Sequence, residues 1–260
     1  MKNPVGKVYL VGAGPGAPDL LTVRAARLLA RAGIVFHDAL VHPETVALAV
    51  SAKKVPVGKR CSQVSTDQRF INRCLVEAAQ KHEIVVRLKG GDPMLFGRAM
   101  EEIAALERAA VPYEIVPGVT AALSAAAQVG VALTERGVAR SVAFVTPRIG
   151  HGEQKTDWTK SVARADTSAL YMGVGRAREL QTALLNAGLS PQMPLVIVER
   201  ASLPGERVFP CVLSDLHRAE SWGIAGPAII MLGEVFRRVL PAKQAEPLSA
   251  LAGARVSLGS

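Results

Sequence analysis

The sequence is poor in aromatic residues, cysteines and histidines. Aromatic side chains make up 4% of the 260 residues, too few to provide the stacking platforms of a single-stranded nucleic-acid site. The three cysteines, Cys61, Cys74 and Cys211, form no C-x-x-C pair, so we expect neither a disulfide framework nor a cysteine zinc site. This usage is typical of a reducing compartment. The five histidines are scattered, and no metal is implied.

Long apolar runs are also missing. No uncharged apolar segment approaches the ~18 residues that a membrane-spanning helix requires. The first residues, MKNPVGK, contain no apolar stretch of the kind found in a secretory signal peptide. We therefore expect a cytoplasmic protein without a membrane partner.

Positive charge is what the sequence has in excess. There are 31 lysines and arginines against 22 acidic residues, which gives a formal net charge of +9 and a pI near 9.8. Such a balance favours an anionic partner, although a generally basic composition without any specific partner explains it equally well. Because the basic residues form no long run and few aromatics accompany them, nucleic acid is not expected.

Apolar strands and amphipathic helices alternate along the chain, which predicts an α/β fold with parallel strands covered by helices. The pattern changes near residues 120–140. We therefore predict an N-terminal α/β domain over 1–120, a C-terminal α/β domain over 121–240 and a flexible tail over 241–260. The predicted strands are Val8–Val11, Ile34–Phe36, Lys54–Val57, Ile84–Leu88, Tyr113–Val116, Ser141–Thr146, Ser168–Met172, Leu195–Glu199 and Ala228–Leu232.

A glycine loop follows the first predicted strand, in the segment KVYLVGAGPGAPDLLT (7–22). Its spacing fits the dinucleotide fingerprint G-x-G-x-x-G/A. However, a pyrophosphate site needs backbone N–H donors, which Pro15 and Pro18 lack, and Asp19 adds a negative charge. The loop suits a ligand without phosphate, such as the sulfonium S-adenosylmethionine. A glycine turn without any ligand is the alternative.

Several other predicted strands end in glycine or charged residues. These ends are His37-Asp38, Gly58-Lys59-Arg60, Gly90-Gly91-Asp92-Pro93, Pro117-Gly118, Met172-Gly173 and Glu199-Arg200-Ala201. Ligands of parallel α/β sheets bind beyond the carboxyl ends of strands, so the series suggests a shared cleft. A succession of tight turns is the simpler alternative, since βα loops are short.

These motifs resemble those of the tetrapyrrole methyltransferases, and within that family the enzymes that methylate uroporphyrinogen III. The resemblance covers nearly all of residues 7–240. It is carried by VYLVGAGPGAPDLLT (8–22), HDALV (37–41), VGKR (57–60), VVRLKGGDPMLFGR (85–98), VPGVTAA (116–122), YMG (171–173) and GPAIIMLGEV (226–235). The chain departs from the family pattern at Ala99-Met100 and Pro147-Arg148, which bears on substrate specificity.

The resemblance implies a two-domain α/β fold with S-adenosylmethionine in the cleft between the domains, usually in a homodimer. It implies two methyl transfers, to C2 and C7 of uroporphyrinogen III, which pass through precorrin-1 to precorrin-2 and release S-adenosylhomocysteine. The cofactor contacts that it implies are Pro15, Gly90, Gly91, Asp92, Leu95, Thr120, Ala121, Met172 and Ala201.

Two residues receive catalytic roles from the resemblance, Asp38 as proton acceptor and Lys59 as proton donor. Arg60, Lys89 and Arg98 are candidate ligands of the substrate's carboxylates, because uroporphyrinogen carries eight of them. Two other interpretations stay open. One is a later corrinoid-pathway methylase with the same cofactor, and the other is a nucleotide- or RNA-binding module without catalysis.

Overall fold

The chain divides into two compact units. The computed structural model describes residues 6–58, 68–149 and 157–241. The first unit ends at Ser124 and the second begins at Ala125, within the 120–140 region where the sequence pattern changes. Each unit contains one five-stranded sheet.

The first unit is a parallel sheet, as the alternation of elements predicts. Its strands lie in the order β3-β2-β4-β1-β5, and every pairing is parallel. The strands are β1 (Lys7–Gly12), β2 (Ile34–His37), β3 (Lys53–Pro56), β4 (Ile84–Lys89) and β5 (Tyr113–Val116). The helices are α1 (Val23–Arg31), α2 (Pro43–Ala47), α3 (Gln68–Ala79), α4 (Ala99–Arg108) and α5 (Ala121–Val129), the last of which continues into the second unit.

Helices cover both faces of this sheet. On one face, Leu28 and Leu29 of α1 pack in a cluster with Val86 of β4. On the other face, α3 and α4 pack in a second cluster that includes Leu10 and Val85. The alternation of side chains along β4 therefore sends odd-numbered residues towards α3 and α4, and even-numbered residues towards α1.

The segment after the glycine loop does not become α-helical at once. Pro18–Leu20 form a single 3-10 turn, and α1 starts only at Val23. Thr22 caps it, because the Thr22 hydroxyl oxygen accepts a hydrogen bond from the N–H of Ala25 (3.2 Å).

The second unit also has five strands, in the order β6-β7-β10-β8-β9. They are β6 (Val142–Val145), β7 (Thr167–Tyr171), β8 (Pro194–Glu199), β9 (Arg207–Val212) and β10 (Ala228–Gly233). Two α-helices, α6 (Trp158–Arg164) and α7 (Ala177–Asn186), pack on the sheet with the 3-10 helix Leu213–Ser221. Further 3-10 helices span Val174–Arg176 and Glu234–Val239.

The prediction of a parallel sheet is wrong for the second unit. Only the β6–β7 pair is parallel, and the β7–β10, β10–β8 and β8–β9 pairs are antiparallel. The error follows from a strand that the sequence prediction missed. β9 pairs with β8 as a hairpin, so no helix separates them, and the strict strand–helix alternation breaks there.

Pro210 explains why β9 escaped prediction. A proline within an apolar run argues against a central strand, because it cannot donate to the ladder. β9 lies at the edge of the sheet, where proline is tolerated.

α5 is only half buried. Ala122 and Ala125 are fully buried, but Leu123 is 52% exposed. Gln128 is also exposed, so the outer face of this helix combines apolar and polar side chains. In the part of the chain that the structure describes, no helix is both long and apolar enough to cross a membrane.

Candidate active site

The carboxyl ends of the parallel strands bring the predicted motifs of the first unit to one edge of its sheet. Because β4 lies between β2 and β1, three segments are neighbours: Asp38 after β2, Gly90–Gly91 after β4, and the glycine loop after β1. The connection that leaves β1 leads across β4 to β2, whereas the one that leaves β4 leads across β1 to β5. Ligands of α/β proteins bind where connections reverse in this way.

Three glycines form the closest backbone contact at this edge. A Cβ atom built on Gly118 would lie 2.3 Å from the carbonyl oxygen of Gly91 and 2.8 Å from Cα of Gly12. A Cβ atom built on Gly12 would lie 2.6 Å from Cα of Gly118. These neighbours are backbone atoms that cannot rotate aside, so only glycine fits where the ends of β1, β4 and β5 meet.

The glycine loop uses its own N–H groups within the protein. The N–H of Ala13 donates to the carbonyl oxygen of Lys89 (2.7 Å between N and O). Gly14 and Gly91 exchange two hydrogen bonds, with N···O distances of 3.2 and 2.7 Å. These donors are therefore engaged before any ligand arrives.

No long helix begins at this loop. Pro15 and Pro18 have no N–H, and the 3-10 turn separates the loop from α1. A dinucleotide pyrophosphate binds where a helix N-terminus follows the glycines directly. The geometry thus disfavours a phosphate ligand, in agreement with the expectation from the two prolines.

Asp92 ties two of these loops together. Its Oδ1 accepts a hydrogen bond from the N–H of Met94 (2.8 Å), and its Oδ2 accepts one from the N–H of Gly118 (2.9 Å). Each carboxylate oxygen therefore already serves the backbone, and Asp92 fixes the loop after β4 to the loop after β5.

The edge is open beside Gly90 and Gly91. A Cβ atom on Gly91 would meet no heavy atom within 4 Å, and its φ of +69° is one that other residues rarely adopt. The nearest side-chain atom to a Cβ on Gly90 would be Cβ of Leu40, at 3.5 Å. Free space beside a bare backbone allows a ligand to approach these peptides closely.

The other predicted cofactor residues of the first unit lie on the same three loops. Pro15 and Leu95 are half buried, in the loops after β1 and β4. Thr120 and Ala121 stand where the chain enters α5, and the carbonyl oxygen of Thr120 accepts from the N–H of Leu123 (3.1 Å). The fold thus brings these positions to one edge, and their contact with a cofactor stays a prediction.

A buried cluster of charges lies beneath this edge. The Arg87 guanidinium, 3% exposed, donates from Nη2 to Oδ1 of Asp38 (2.5 Å) and from Nε to Oε1 of Glu102 (3.0 Å). Lys89 donates from Nζ to both oxygens of Glu102, at 2.9 Å each. Two cations are therefore balanced by two carboxylates, of which Glu102 is fully buried and Asp38 is 30% exposed.

Burial acts on the two cations of the cluster in different ways. Desolvation alone would lower the pKa of Arg87, but the carboxylates of Asp38 and Glu102 outweigh it and the pKa is raised. For Lys89, desolvation and the neighbouring Arg87 outweigh the attraction of Glu102, so the pKa of Lys89 is lowered. Arg87 is consequently the more firmly charged partner of Asp38.

The two described candidates for substrate binding differ in access. The Lys89 side chain is 4% exposed and held by Glu102, a placement that favours a structural role over direct contact with a substrate. Arg98 is 57% exposed, stands immediately before α4 with φ +55° and pairs with Glu101 through Nε at 2.7 Å. A ligand can reach its guanidinium.

Lys59 and Arg60, the predicted proton donor and a predicted substrate ligand, lie outside the described residues. The chain is described again from Gln68. The roles of both residues stay predictions from the resemblance.

The second unit brings its two predicted cofactor residues to one edge of its own sheet. β7 and β8 both pair antiparallel with β10, so they run in the same direction and end together. Met172 follows β7 and is 48% exposed, whereas Ala201 lies shortly after β8 and is 8% exposed. Met172 and Arg200 both have positive φ, at 58° and 56°, a strained conformation that is enriched at functional sites.

Glu199 fixes this edge. Its Oε1 accepts from the N–H groups of Ala225 (2.8 Å) and Gly226 (2.6 Å), and its Oε2 accepts from Nε of Arg207 (2.7 Å). Burial alone would raise the pKa of Glu199, but the Gly226 N–H and the Arg207 guanidinium outweigh it, and the pKa is lowered. The segment before β10 is thereby held to the end of β8 and the start of β9.

The residue that sequence reasoning missed is Glu102. A signal for it exists: Arg87 and Lys89 are two apart on a central, buried strand and must face the same side. Two buried cations require a nearby anion. The helix that follows, α4, offers the pair Glu101-Glu102 in its first turn.

Histidine, cysteine and acidic side chains do not assemble a metal site in the described residues. No group of three or more of them is placed to hold an ion. Cys74 and Cys211 are both free thiols, and burial raises the pKa of Cys211 to about 12.

Comparison with known proteins places the chain in a family. The model of the tetrapyrrole (corrin/porphyrin) methylases matches residues 7–217. The chain belongs to the tetrapyrrole methylase family. This tetrapyrrole methylase is 42% identical to the uroporphyrinogen-III C-methyltransferase of Pseudomonas aeruginosa over 236 residues, which cover 90% of this chain and 96% of that protein.

Other relatives of this tetrapyrrole methylase are longer. It is 44% identical over 233 residues to the siroheme synthase of a Psychrobacter species, a match that covers 89% of this chain and 48% of that protein. The chain thus spans about half the length of the siroheme synthases that it matches.

Solved structures share the fold of this tetrapyrrole methylase. The uroporphyrin-III C-methyltransferase of Thermus thermophilus, complexed with S-adenyl homocysteine, is 43% identical with a TM-score of 0.79, over 90% of this chain and all of that one. A cobalt precorrin-4 methyltransferase is 29% identical with a TM-score of 0.78, over 88% of this chain and 95% of that one.

The glycine contact predicts the effect of one added methyl group. Gly118→Ala forces a Cβ against the backbone of Gly91 and Gly12, and overpacking of this kind costs about 1–3 kcal/mol of unfolding free energy. Chemical denaturation measures the loss. Gly175→Ala is the control, because a Cβ there meets nothing within 4 Å, and an equal loss in both variants would contradict the argument.

The lowered pKa of Glu199 predicts how the protein responds to acid. The stabilisation is fully present above the ordinary glutamate pKa, about 4.3, and is lost as the pH falls through the lower pKa of the folded state. Glu199→Gln should therefore flatten the decline in melting temperature between about pH 5 and pH 3. The exposed Glu179→Gln should keep the parent's decline. Parallel curves for parent and Glu199→Gln would refute this role.

Proposed function

We propose that this tetrapyrrole methylase transfers methyl groups from S-adenosylmethionine to C2 and C7 of uroporphyrinogen III, by way of precorrin-1, and yields precorrin-2 and S-adenosylhomocysteine. The observation that carries the proposal is the position of Asp38. It lies at the sheet edge where the backbone of Gly90 and Gly91 is open and where the glycine loop disfavours a phosphate ligand. A Cβ on Gly90 would lie 3.5 Å from Cβ of Leu40, two residues beyond Asp38. The identity to the Pseudomonas aeruginosa enzyme along nearly its whole length supports this substrate.

The residues of the first unit fit an uncharged or cationic cofactor better than a nucleotide phosphate. We propose that Pro15, Gly90, Gly91 and the start of α5 hold S-adenosylmethionine. Asp92 holds the loops after β4 and β5 together, because its carboxylate accepts hydrogen bonds from the N–H groups of Met94 and Gly118. When bound, the cofactor supplies a methyl group that is already activated by its sulfonium, so proximity and alignment are the main requirements. Met172 and Ala201 are proposed contacts as well.

Asp38 is the carboxylate best placed to take the proton that a pyrrole carbon loses after methylation. Its Oδ1 is held by Arg87, and no described residue donates to its Oδ2. Asp92, the other carboxylate on these loops, has both oxygens engaged by backbone N–H groups. A general base must have a lone pair within reach of the proton, which favours Asp38.

The substrate's carboxylates suit the positive charge of this chain. We propose that Arg98, which is exposed at the start of α4, binds one of them, together with Lys59 and Arg60. Arginine recognises carboxylates through two parallel N–H groups, and such pairs are stronger than neutral hydrogen bonds. Lys89 is not proposed as one of these ligands, because its side chain is 4% exposed and is held by Glu102.

A later methylase of the corrinoid pathway is the second candidate, because the cobalt precorrin-4 methyltransferase shares the fold over 88% of this chain. Incubation with methyl-labelled S-adenosylmethionine and uroporphyrinogen III separates the two. We expect two labelled methyl groups per tetrapyrrole. Failure to methylate uroporphyrinogen III would reject the first candidate, and methylation of a later precorrin instead would support the second.

The assembly and location of the protein are further proposals. We propose a cytoplasmic homodimer that has no nucleic-acid or membrane partner, as the resemblance and the composition suggest. Sedimentation at micromolar concentration tests the dimer.

Cofactor selectivity follows from the engaged and missing donors of the glycine loop. S-adenosylhomocysteine should bind in the micromolar range, whereas NAD should produce no measurable heat at the same concentrations. Isothermal titration calorimetry compares the two ligands on one preparation. Tight NAD binding without S-adenosylhomocysteine binding would overturn the cofactor assignment.

Asp38→Asn tests the proton acceptor. Asparagine has nearly the same shape but cannot accept the proton, so turnover should fall by roughly 10²–10⁴-fold, the usual contribution of a general base. Binding of S-adenosylhomocysteine should stay within about twofold of the parent value. Near-normal turnover would assign the proton to water or another group, and loss of cofactor binding with a lower melting temperature would make Asp38 a structural residue.

A further inference from the structure

One carboxylate of the first unit is buried where no ligand can touch it. Glu102 of α4 has no exposed surface and accepts from Arg87, Lys89 and Gln68, whose Nε2 lies 3.2 Å from Oε1. Gln68 belongs to α3 and the two cations belong to β4, so donors from two elements converge on one side chain. Burying a carboxylate is costly, and it persists only where several donors compensate it.

We propose that Glu102 is a positioning residue for the proton acceptor Asp38, acting through Arg87. This inference rests on the proposed function. Glu102 itself touches neither cofactor nor substrate.

The guanidinium of Arg87 is fixed in position by its neighbours. Arg87 is held at Nε by Glu102 (3.0 Å) and at Nη1 by the carbonyl oxygen of Leu88 (3.2 Å). Because the guanidinium is planar and rigid, two fixed donors determine where the third, Nη2, lies. Nη2 holds Oδ1 of Asp38, so the position of this carboxylate is set from the buried side.

Solvent exposure rises along the chain of contacts from Glu102 to Asp38. The Glu102 side chain is 0% exposed, Arg87 is 3% exposed and Asp38 is 30% exposed. A short aspartate at the surface of a loop would otherwise sample several rotamers. Anchored to a buried arginine, it keeps one oxygen bound and the other available for a proton.

Arg87 and Lys89 compete for the same carboxylates. Lys89 lies two residues from Arg87 on the same face of β4, and both of its bonds go to Glu102. Without the charge of Glu102, Asp38 would be the one carboxylate among the described residues that contacts this pair of buried cations. Glu102 therefore also keeps Lys89 from drawing Asp38 away from its working position.

The test begins with Glu102→Gln, which keeps the size of the side chain but removes its charge. We expect kcat to fall roughly tenfold or more, since misplacing a reacting group by 1 Å can cost about 10²-fold. The Kd for S-adenosylhomocysteine should stay within about twofold, because the loops that would hold it do not contact Glu102. Glu107→Gln makes the same change at an exposed site of the same helix and should leave kcat unchanged.

Two further variants distinguish positioning from general destabilisation. Ile103→Ala weakens the packing of α4 next to Glu102, since Ile103 is 4% exposed in the core cluster. At a matched loss of melting temperature it should retain most of its turnover. Equal losses of kcat in Ile103→Ala and Glu102→Gln would overturn the proposal, as would a Glu102→Gln enzyme with more than half of the parent's kcat.

The double variant Asp38→Asn/Glu102→Gln gives the decisive readout. If Glu102 acts through Asp38, its substitution has little left to disturb once the base is gone, and residual turnover should change by less than about twofold. If the two losses multiply instead, Glu102 acts independently of Asp38 and the inference fails.

If Glu102→Gln does not fold, a charge-balanced variant takes its place in the test. Glu102→Gln/Lys89→Met removes one charge of each sign and leaves the Arg87–Asp38 pair neutral, yet Arg87 still lacks its carboxylate anchor at Nε. Low turnover in this folded variant supports positioning, and parent-like turnover overturns it.

If the parent protein is inactive, the proposed function is rejected, but the effect of Glu102 on the Arg87–Asp38 contact is not yet decided. The crystal structure of Glu102→Gln then decides it. The distance from Arg87 Nη2 to Asp38 Oδ1 should exceed 3.5 Å or the Asp38 rotamer should change, and an unaltered contact would refute the inference.

Discussion

The first unit depends on the neutralisation of two cations in the middle of its sheet. Arg87 and Lys89 lie on β4, which pairs with β1 on one side and β2 on the other, so neither can reach solvent. Glu102 resolves this by contacting both. Removing one partner of a buried ion pair typically costs about 3–5 kcal/mol, a large share of the about 5–15 kcal/mol that stabilises a domain. The same strand supplies the Gly90–Gly91 loop, so the stability of the core and the geometry of the candidate site share one ion cluster.

Close backbone packing, together with the ion cluster, determines the geometry of the candidate site. The Gly12, Gly91 and Gly118 contact brings three strand ends within van der Waals distance, and Asp92 joins two of the resulting loops by hydrogen bonds to backbone N–H groups. Neither the glycine contact nor Asp92 provides a free hydrogen-bond donor for a phosphate. These contacts hold the loops together without a ligand, which reduces the ordering entropy that binding would otherwise cost.

Much of the first unit could be predicted from the sequence because its signals are local. Short strand-like runs that end in glycine or charged residues predicted all five strands, and their alternation with helices predicted the parallel sheet and the shared edge of Asp38 and Gly90. Glu102 could not be found in this way, because its role depends on α4 packing over β4, a contact that no spacing along the chain reveals. Lys89 illustrates the same difficulty. A lysine beside a glycine loop suggests an exposed side chain that binds a ligand, whereas in the structure Lys89 is buried and paired with Glu102.

The second unit was harder to predict, and Pro210 shows why. Local rules count a proline as a strand breaker, whereas its tolerance depends on whether the strand lies at an edge, which is a property of the whole sheet. Missing β9 removed the hairpin and with it the antiparallel order. The positive φ values of Met172 and Arg200 are likewise invisible in the sequence, since neither is a glycine.

Pro210 has a consequence for how the protein behaves in a crowded solution. An exposed strand edge presents unpaired N–H and C=O groups on which a strand of another molecule can grow, and this is a common route to aggregation. At β9 the row of donors is interrupted by the imino nitrogen of Pro210. At β3, an edge of the other sheet, Lys53, Lys54 and Pro56 combine charge with a second missing donor. Pairing with a strand of another molecule is therefore disfavoured at β3 and at β9.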